Sequence, residues 1–128
     1  MNEQLEMNKK IVLEFTDLAF NQRKPEEAVA KYQGTYYRQH NPSAKDGSEA
    51  FIGFVKWFAQ TYPAFQISVK RIVAEGDLVV MHSHLVHAPG DRGNAVVDIF
   101  RLENGKVVEH WDAVQEIPEA SANNNTMF

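Results

Sequence analysis

The sequence predicts an α+β domain in which helices come first and a mainly antiparallel sheet follows. Up to Tyr62, apolar residues recur at spacings of three and four, which is typical of amphipathic helices. From Phe65 onward they alternate with polar residues, which is typical of strands. In addition, Asn104-Gly105 lies between two alternating runs, and this dipeptide is the strongest short-range signal for a two-residue β-hairpin.

Two helices are predicted in the first third of the chain. An apolar stripe at helical spacing predicts the first over residues 3–20. The second opens at Pro25, because proline suits the first turn of a helix and the acidic residues after it suit the positive end of the helix dipole. This helix ends before Gly34.

A third helix is predicted from Asp46. Asp46 and Glu49 have the spacing of a capping box, in which each side chain satisfies a free backbone N–H at the start of a helix. Pro63 ends the helix, since its ring is incompatible with a helix interior.

Period-two alternation predicts four strands in the second half of the chain. Gly and Pro punctuate the first two junctions, at residues 76–77 and 89–91, so the strands form a meander. We expect a curved, mainly antiparallel four-strand sheet that wraps the three helices. The predicted strands are Phe65–Glu75, Leu78–His87, Ala95–Leu102 and Val107–Gln115.

The length of 128 residues favours one domain with a substantial core. We assign residues 1–120 to this domain and residues 121–128 to a C-terminal tail. The tail has little to bury apart from Met127 and Phe128. It is either a flexible end or a segment docked on the same subunit or a partner subunit.

Charge and composition exclude several classes of protein. A net charge of -4 disfavours nucleic acid and anionic membranes as main partners. The absence of cysteine excludes disulfides and thiolate chemistry. No signal peptide and no apolar stretch of about 18 residues is recognised, so we expect a soluble, cytoplasmic protein.

Ionisable residues stand on the predicted hairpin among apolar neighbours. Because side chains alternate along a strand, Asp98 shares a face with Phe100. On the partner strand, Val108, His110 and Asp112 share a face. Buried charges are costly unless they are paired or used, so an inward orientation indicates a polar cluster in an apolar pocket. An outward Asp98 paired to a basic neighbour is the alternative, and Asp112 is otherwise a solvated carboxylate or a structural partner of His110.

Histidines of a neighbouring strand extend the candidate site. His82 and His84 share one strand face, and this spacing serves a metal when further ligands arrive from elsewhere. His110, Asp98 and Asp112 are the candidates for those ligands. The alternatives are histidines hydrogen-bonded within a polar pocket, or histidines that contact a substrate directly.

A polar loop and several aromatic residues complete the candidates for ligand contact. The loop around His40 reaches back over the cavity or forms a turn without ligand contact. The aromatic side chains either line the pocket or belong to the core and its rim. These candidates are Tyr37, Phe54, Trp57, Phe100 and Trp111.

The order of helices and strands, together with the segment from Asp98-Ile99-Phe100-Arg101 to His110-Trp111-Asp112, resembles the SnoaL-like polyketide cyclase family of the NTF2-like superfamily. The likeness covers nearly the whole chain. It is greatest to the predicted aldol-condensation branch, because three further segments match. These segments are Gln39-His40-Asn41-Pro42, Asp46-Gly47 and Asn125-Thr126-Met127-Phe128. The resemblance implies a cone-shaped barrel with an apolar pocket, a homodimer built through the sheet, and no cofactor.

The resemblance also implies roles for individual residues. In the characterised cyclases, a carboxylate at the position of Asp112 acts as acid and base in an intramolecular aldol closure. The position of Asp98 often holds a histidine there, so this chain departs from the cyclase pattern. Epoxide hydrolases of the superfamily are less similar, since Arg101 has the parity opposite to Asp98. Steroid isomerases use a tyrosine, and the four predicted strands supply none at the required place.

Three functions remain open at this point. The first is a cofactor-independent acid/base enzyme for a small carbonyl compound, with Asp112 and Asp98 as acid/base groups. Its polarising groups are the histidines at positions 40, 82, 84 and 110. The second is a binding module of the same fold without turnover. The third is a metal site built on His82 and His84.

Overall fold

The computed structural model describes residues 2–128 as a curved sheet with helices packed across one of its faces. Neighbouring strands follow the order β1-β5-β4-β3-β2, and only β1 and β5 are parallel. The helices are α1 (Glu3–Thr16), which continues as a π-helical turn (Asp17–Asn21), α2 (Pro25–Tyr32) and α3 (Ser48–Thr61). The strands are β1 (Gln33–Gln39), β2 (Gln66–Glu75), β3 (Leu78–Val86), β4 (Asn94–Glu103) and β5 (Lys106–Glu116).

The α+β class is confirmed, but the expectation of four strands was wrong, because β1 is a fifth. This strand pairs with a single neighbour, β5. Only Gln33 and Tyr37 are buried along it, so its seven residues lack a clear alternation of apolar and polar side chains. The pairing with β5 therefore determines this strand rather than its own pattern.

The start of α3 also differs from the prediction. The helix begins at Ser48, and no side chain caps it. The Asp46 carboxylate accepts instead from the backbone N–H of Gln39, at 2.7 Å. Gly47 follows with a φ of 101°, a value that glycine adopts without strain. Asp46 therefore ties the helix start to the end of β1, and the capping box does not form.

The predicted hairpin is present between β4 and β5. Asn104 and Gly105 have φ values of 51° and 75°, as a two-residue type I′ turn requires. Its register places Asp98 directly opposite Asp112. Residues opposite each other share a face, so these two carboxylates lie side by side.

A β-bulge close to the turn alters one detail of the predicted faces. Arg101 pairs with Glu109, whereas the next residue, Leu102, pairs with Val107. Val108 is therefore the extra residue, and Val107 takes the place in the core that simple alternation assigns to Val108. The bulge also turns His110 and Asp112 to the face that carries Asp98, since the register at the turn, continued without it, would place Asp98 opposite Trp111.

An aromatic cluster joins the helices to the sheet. Phe15 of α1 is 1% exposed. Its ring stacks on Phe51 of α3 and meets Phe100 of β4 edge-on, with ring centroids 5.2 and 6.1 Å apart. Tyr32 and Tyr37 contact the same ring. We call the sheet face covered by these helices the inner face.

The outer face of the sheet carries the end of the chain. The Phe128 ring packs on His82 and His84, and its backbone oxygen accepts from Arg71. The division into residues 1–120 and a tail stays a prediction. Among residues 2–128, no helix has both the length and the apolar character needed to cross a membrane.

Candidate functional site

A cavity of about 510 Å³ lies between the helices and the inner face of the sheet. Its size suits a small organic molecule. Most of the wall is apolar, and its aromatic residues are Phe15, Phe20, Tyr37, Phe51, Phe54, Phe58 and Phe100. One part of the wall is polar, and it consists chiefly of Gln39, Asn41, Asp98, His110 and Asp112.

Two carboxylates and an imidazole form the centre of the polar wall. Nε2 of His110 lies 2.8 Å from Oδ1 of Asp98 and 3.8 Å from Oδ2 of Asp112. The side chains are 9%, 16% and 14% exposed for His110, Asp98 and Asp112, respectively. They converge because β4 and β5 pair in a register that places all three on the inner face.

Gln39 orients the imidazole ring of His110. Its Oε1 accepts from the backbone N–H of Asn41 at 3.3 Å, and Nδ1 of His110 lies 2.9 Å away. Since this oxygen only accepts, Nδ1 donates to it. Nε2 then faces the two acids, and it lies closer to Asp98 than to Asp112.

Asp112 is a carboxyl group with a raised pKa. Burial beside apolar groups raises the pKa of its carboxyl, and the charge of Asp98 raises it further. His110 and the hydrogen bond from Asn41 oppose this rise in pKa. The amide Nδ2 of Asn41 donates to both carboxylate oxygens, at 2.8 and 3.1 Å. A carboxylate with a raised pKa takes up a proton more readily near neutral pH than an ordinary aspartate.

Tyr37 places a hydroxyl group in the same cavity. Burial is the main cause that raises its pKa, and the charges of Asp98 and Asp112 add to the effect. The phenol therefore keeps its proton and serves as a hydrogen-bond donor. Its ring also stacks with the ring of His110.

The family of this chain follows from its sequence together with this geometry. A sequence model of the SnoaL-like domain matches residues 12–110, which is more than half of the chain. The chain belongs to the SnoaL-like family. The matched region ends at His110, two residues before Asp112, so the general-base candidate rests on geometry and not on that match.

Solved structures support the NTF2-like fold of this SnoaL-like protein. TsrD from Streptomyces laurentii is 22% identical, with a TM-score of 0.70 over 84% of this chain and 87% of TsrD. A candidate polyketide cyclase from Acidithiobacillus ferrooxidans is 19% identical, with a TM-score of 0.72 over 89% and 91% of the two chains. A candidate ketosteroid isomerase from Kribbella flavida is 21% identical, with a TM-score of 0.72 over 93% and 85%. At these identities the likeness establishes the fold alone. No curated protein matches the chain in sequence.

The residues singled out from the sequence of this SnoaL-like protein divide into two groups. Those that line the cavity are Asp98, His110, Asp112, Tyr37, Phe54 and Phe100. Those that lie outside it are His40, His82, His84, Trp57 and Trp111. Strand parity explains the division on β3 and β5, since the residues that alternate with cavity residues there belong to the outer face. Trp57 lies on an exposed side of α3, where it is 55% exposed.

His82 and His84 do share a strand face, but it is the outer one. His84 Nε2 donates to the backbone oxygen of Arg92, and His82 Nδ1 is bonded to the Arg71 guanidinium. The inner-face acids therefore do not complete a metal site with these histidines. A metal ion would find three protein ligands elsewhere, because one ligand atom from each member of the inner cluster lies within 4.8 Å of the others. That cluster consists of Asp98, His110 and Asp112.

His40 and Trp111 form an outer-face contact behind the site. Their rings are parallel, with centroids 4.7 Å apart. His40 Nε2 donates to the buried carboxylate of Glu109 at 2.6 Å, and Arg101 Nε donates to its other oxygen at 2.7 Å. His40 thus holds the segment between Gln39 and Asn41 from outside, while those two neighbours reach inward.

Two residues that contact the cluster were not identified from the sequence as site residues. Gln39 and Asn41 lie in the polar segment where only His40 was singled out. They were missed because the sequence pattern did not predict β1. Once β1 runs to Gln39 beside β5, alternation turns Gln39 and Asn41 inward and His40 outward.

Replacing Asn41 with alanine is expected to raise the pKa of Asp112. The amide hydrogen bonds stabilise the ionised carboxylate, so their loss favours the protonated form. Carbon-detected NMR titration of the aspartate carboxyl signals measures the change. Ser43→Ala is the matched control, because Ser43 also lines the cavity but has no bond to Asp112. An unchanged or lower pKa in Asn41→Ala would contradict this account.

Proposed function

We propose that this SnoaL-like protein is a cofactor-independent acid/base enzyme that removes a proton next to a carbonyl group of a small, apolar compound. The reaction class that fits is aldol condensation or cyclisation. One observation carries the proposal. Asp112 is a carboxyl with a raised pKa, and it lies in a largely apolar cavity beside Asp98 and His110, which pair with each other.

The proposed reaction assigns one step to each group. The Asp112 carboxylate removes the α-proton, and the electron pair of the broken C–H bond forms an enolate. The Tyr37 hydroxyl donates to the enolate oxygen, where negative charge develops. The enolate carbon then attacks a second carbonyl carbon of the substrate. The resulting alkoxide takes the proton back from Asp112, so the enzyme returns to its starting state.

The pair of Asp98 and His110 has a supporting role in this proposal. The imidazole Nε2 pairs with Asp98, and Gln39 fixes the orientation of the ring. Of the two residues, His110 lowers the pKa of Asp112 and Asp98 raises it. Asp98 and His110 therefore tune the base and position it.

A binding module without turnover is the second candidate. The observation that favours it is that both oxygens of Asp112 accept from Asn41, which lowers the basicity of the carboxylate. In that case Asp112 is a polar contact for a bound ligand. The two candidates differ in whether a carbonyl compound exchanges its α-protons in the cavity.

Exchange of α-protons with deuterated water tests the proposed function without knowledge of the natural substrate. With 2-acetylnaphthalene as the probe, the protein is expected to accelerate deuterium incorporation into the methyl group, followed by NMR. Because the base must be ionised, the rate rises with pH through the raised pKa of Asp112 and levels off above it. The midpoint lies above the ordinary aspartate value of about 3.9.

The comparison for this experiment is the same probe without protein. If the probe binds and its exchange stays at the rate seen without protein, the enzyme proposal fails and the binding module stands. A midpoint at or below the ordinary aspartate pKa would show that a group other than the proposed base limits the rate.

The homodimer implied by the resemblance stays a prediction. The outer face of the sheet exposes large apolar side chains, as pairing through the sheet requires. They include Val73, Leu78 and Val97, which are 58%, 39% and 38% exposed.

A further inference from the structure

Two buried hydroxyl groups at the cavity are without hydrogen-bond partners. Ser83 is 1% exposed and Thr16 is 6% exposed, and both residues belong to the cavity wall. Among residues 2–128, neither the Ser83 Oγ nor the Thr16 Oγ1 has a partner. The third such atom, Nε2 of Gln33, belongs to a residue away from the cavity.

An unpartnered hydroxyl is unfavourable at each of these positions. A buried hydroxyl that leaves water without a replacement partner destabilises the fold, whereas alanine and valine have almost the same shapes without that cost. A helical threonine normally bonds the backbone oxygen four residues earlier, which is Val12 for Thr16, but this bond is absent. Ser83 stands between Met81 and Leu85 on the inner face of β3, where apolar residues would pack well.

The sheet register separates Ser83 from the acid cluster. Ser83 lies opposite Val96, and Val96 lies opposite Val114. Asp112 is two residues along β5 from Val114. With about 3.4 Å per residue and about 4.8 Å between strands, the Cα atoms of Ser83 and Asp112 are roughly 12 Å apart in a flat sheet. The curvature of the sheet brings their inner side chains closer together.

We propose that Ser83 forms a second polar subsite, which binds a neutral oxygen group of the substrate at a distance from Asp112, and that the Thr16 hydroxyl of the same cavity wall contributes to it. This inference rests on the proposed function, and it narrows the substrate class. The substrate is a largely apolar carbonyl compound with a second hydroxyl or carbonyl oxygen several bonds from the reacting carbonyl.

The chemistry of the cavity favours a neutral group in this subsite. A hydroxyl side chain both donates and accepts, so it pairs with an alcohol or a carbonyl equally well. Lys45 is the one cation among the wall residues, and it belongs to the segment after Asn41 rather than to β3 or α1. Both oxygens are buried in the structure, so the proposal requires each hydroxyl to turn toward the cavity by rotation about χ1 when a ligand binds.

A matched pair of ligands tests the subsite. The probes are 2-acetylnaphthalene and 6-hydroxy-2-acetylnaphthalene, which differ only in an oxygen at the end opposite the ketone. Fluorescence titration gives the Kd of each. Wild-type protein is expected to bind the hydroxylated compound about three to ten times more tightly, as one added neutral hydrogen bond provides.

The variant Thr16→Val/Ser83→Ala is expected to lose this preference, so that the ratio of the two Kd values falls to about one. Each substitution removes a hydroxyl and almost conserves the shape of the side chain. The single variant Ser83→Ala provides an intermediate ratio should the double variant fail to fold. Ser43→Ala is the control and is expected to retain the wild-type ratio, because Ser43 lines the same cavity but is exposed to solvent.

Two results would overturn the subsite. One is a wild-type ratio of about one, as when a buried water already partners the two hydroxyls, and the other is a preference that persists in the double variant. Neither result depends on turnover, because binding is measured. If the ratio behaves as expected but α-proton exchange is absent, the enzyme proposal fails while the subsite remains.

Discussion

Replacing Asp112 with asparagine is expected to reduce the rate of α-proton exchange by about 10² to 10⁴ fold, the usual contribution of a positioned general base. Asparagine has nearly the same shape but cannot take up the proton. Its side-chain oxygen still accepts from Asn41, so the wall of the cavity keeps its form. NMR measurement of deuterium uptake, combined with fluorescence titration of the same probe, separates the rate from the affinity.

The affinity of the asparagine variant for 2-acetylnaphthalene is expected to stay within about threefold of the wild type, since a neutral contact of this kind contributes little. Thermal unfolding serves as the folding control. The folded-state pKa of Asp112 is raised, so its ionisation lowers the stability of the wild-type protein as pH rises from the ordinary value to the raised one. Above that window the variant is therefore expected to be at least as stable. Exchange that continues undiminished in this variant would remove Asp112 from the mechanism.

Replacing Phe15 with alanine is expected to lower the free energy of unfolding by about 3 to 5 kcal/mol. Phe15 is 1% exposed, and its ring packs against Tyr32, Tyr37, Phe51 and Phe100. Truncation removes these contacts and leaves a void next to a cavity that the fold already contains. Urea denaturation measures the change, provided that the slope with denaturant stays constant.

Phe54→Ala is the matched control for this substitution. Phe54 lines the same cavity from α3 but is 43% exposed, so truncation removes much less buried area. We expect a loss of about 1 kcal/mol for this variant. If the two phenylalanine variants lose equal stability, the aromatic cluster around Phe15 is not the centre that joins the helices to the sheet.

The main features of the fold are predictable from local patterns. The turn at Asn104-Gly105 pairs the ends of β4 and β5, as the dipeptide predicts. The bulge at Val108 then shifts the register by one residue, and this shift brings Asp98 opposite Asp112 instead of Trp111. Helical periodicity identifies α1 and α3, because each element repeats its pattern over several turns. A local pattern suffices when the residues that form it are close in the chain.

Pairing between distant segments is what the local patterns missed. β1 depends on contact with β5, about seventy residues later, and its own residues show little alternation. Because the local patterns did not predict β1, they could not show that Gln39 and Asn41 point inward. Nor could they show that Tyr37 lies in a strand beside the acids. The absence of a strand tyrosine was one reason to consider steroid isomerases dissimilar, and Tyr37 removes that reason.

By itself, the sequence determined the α+β class, the hairpin and the common face of His110 and Asp112, because alternation and turn chemistry are local properties. The bulge at Val108, which the pattern does not predict, put Asp98 on that face too. Only the tertiary structure decided which face is covered by helices. That choice placed His82 and His84 outside and left a cavity behind the acids. The physical reason is that burial depends on how α1 and α3 pack across the sheet, which involves residues far apart in the chain.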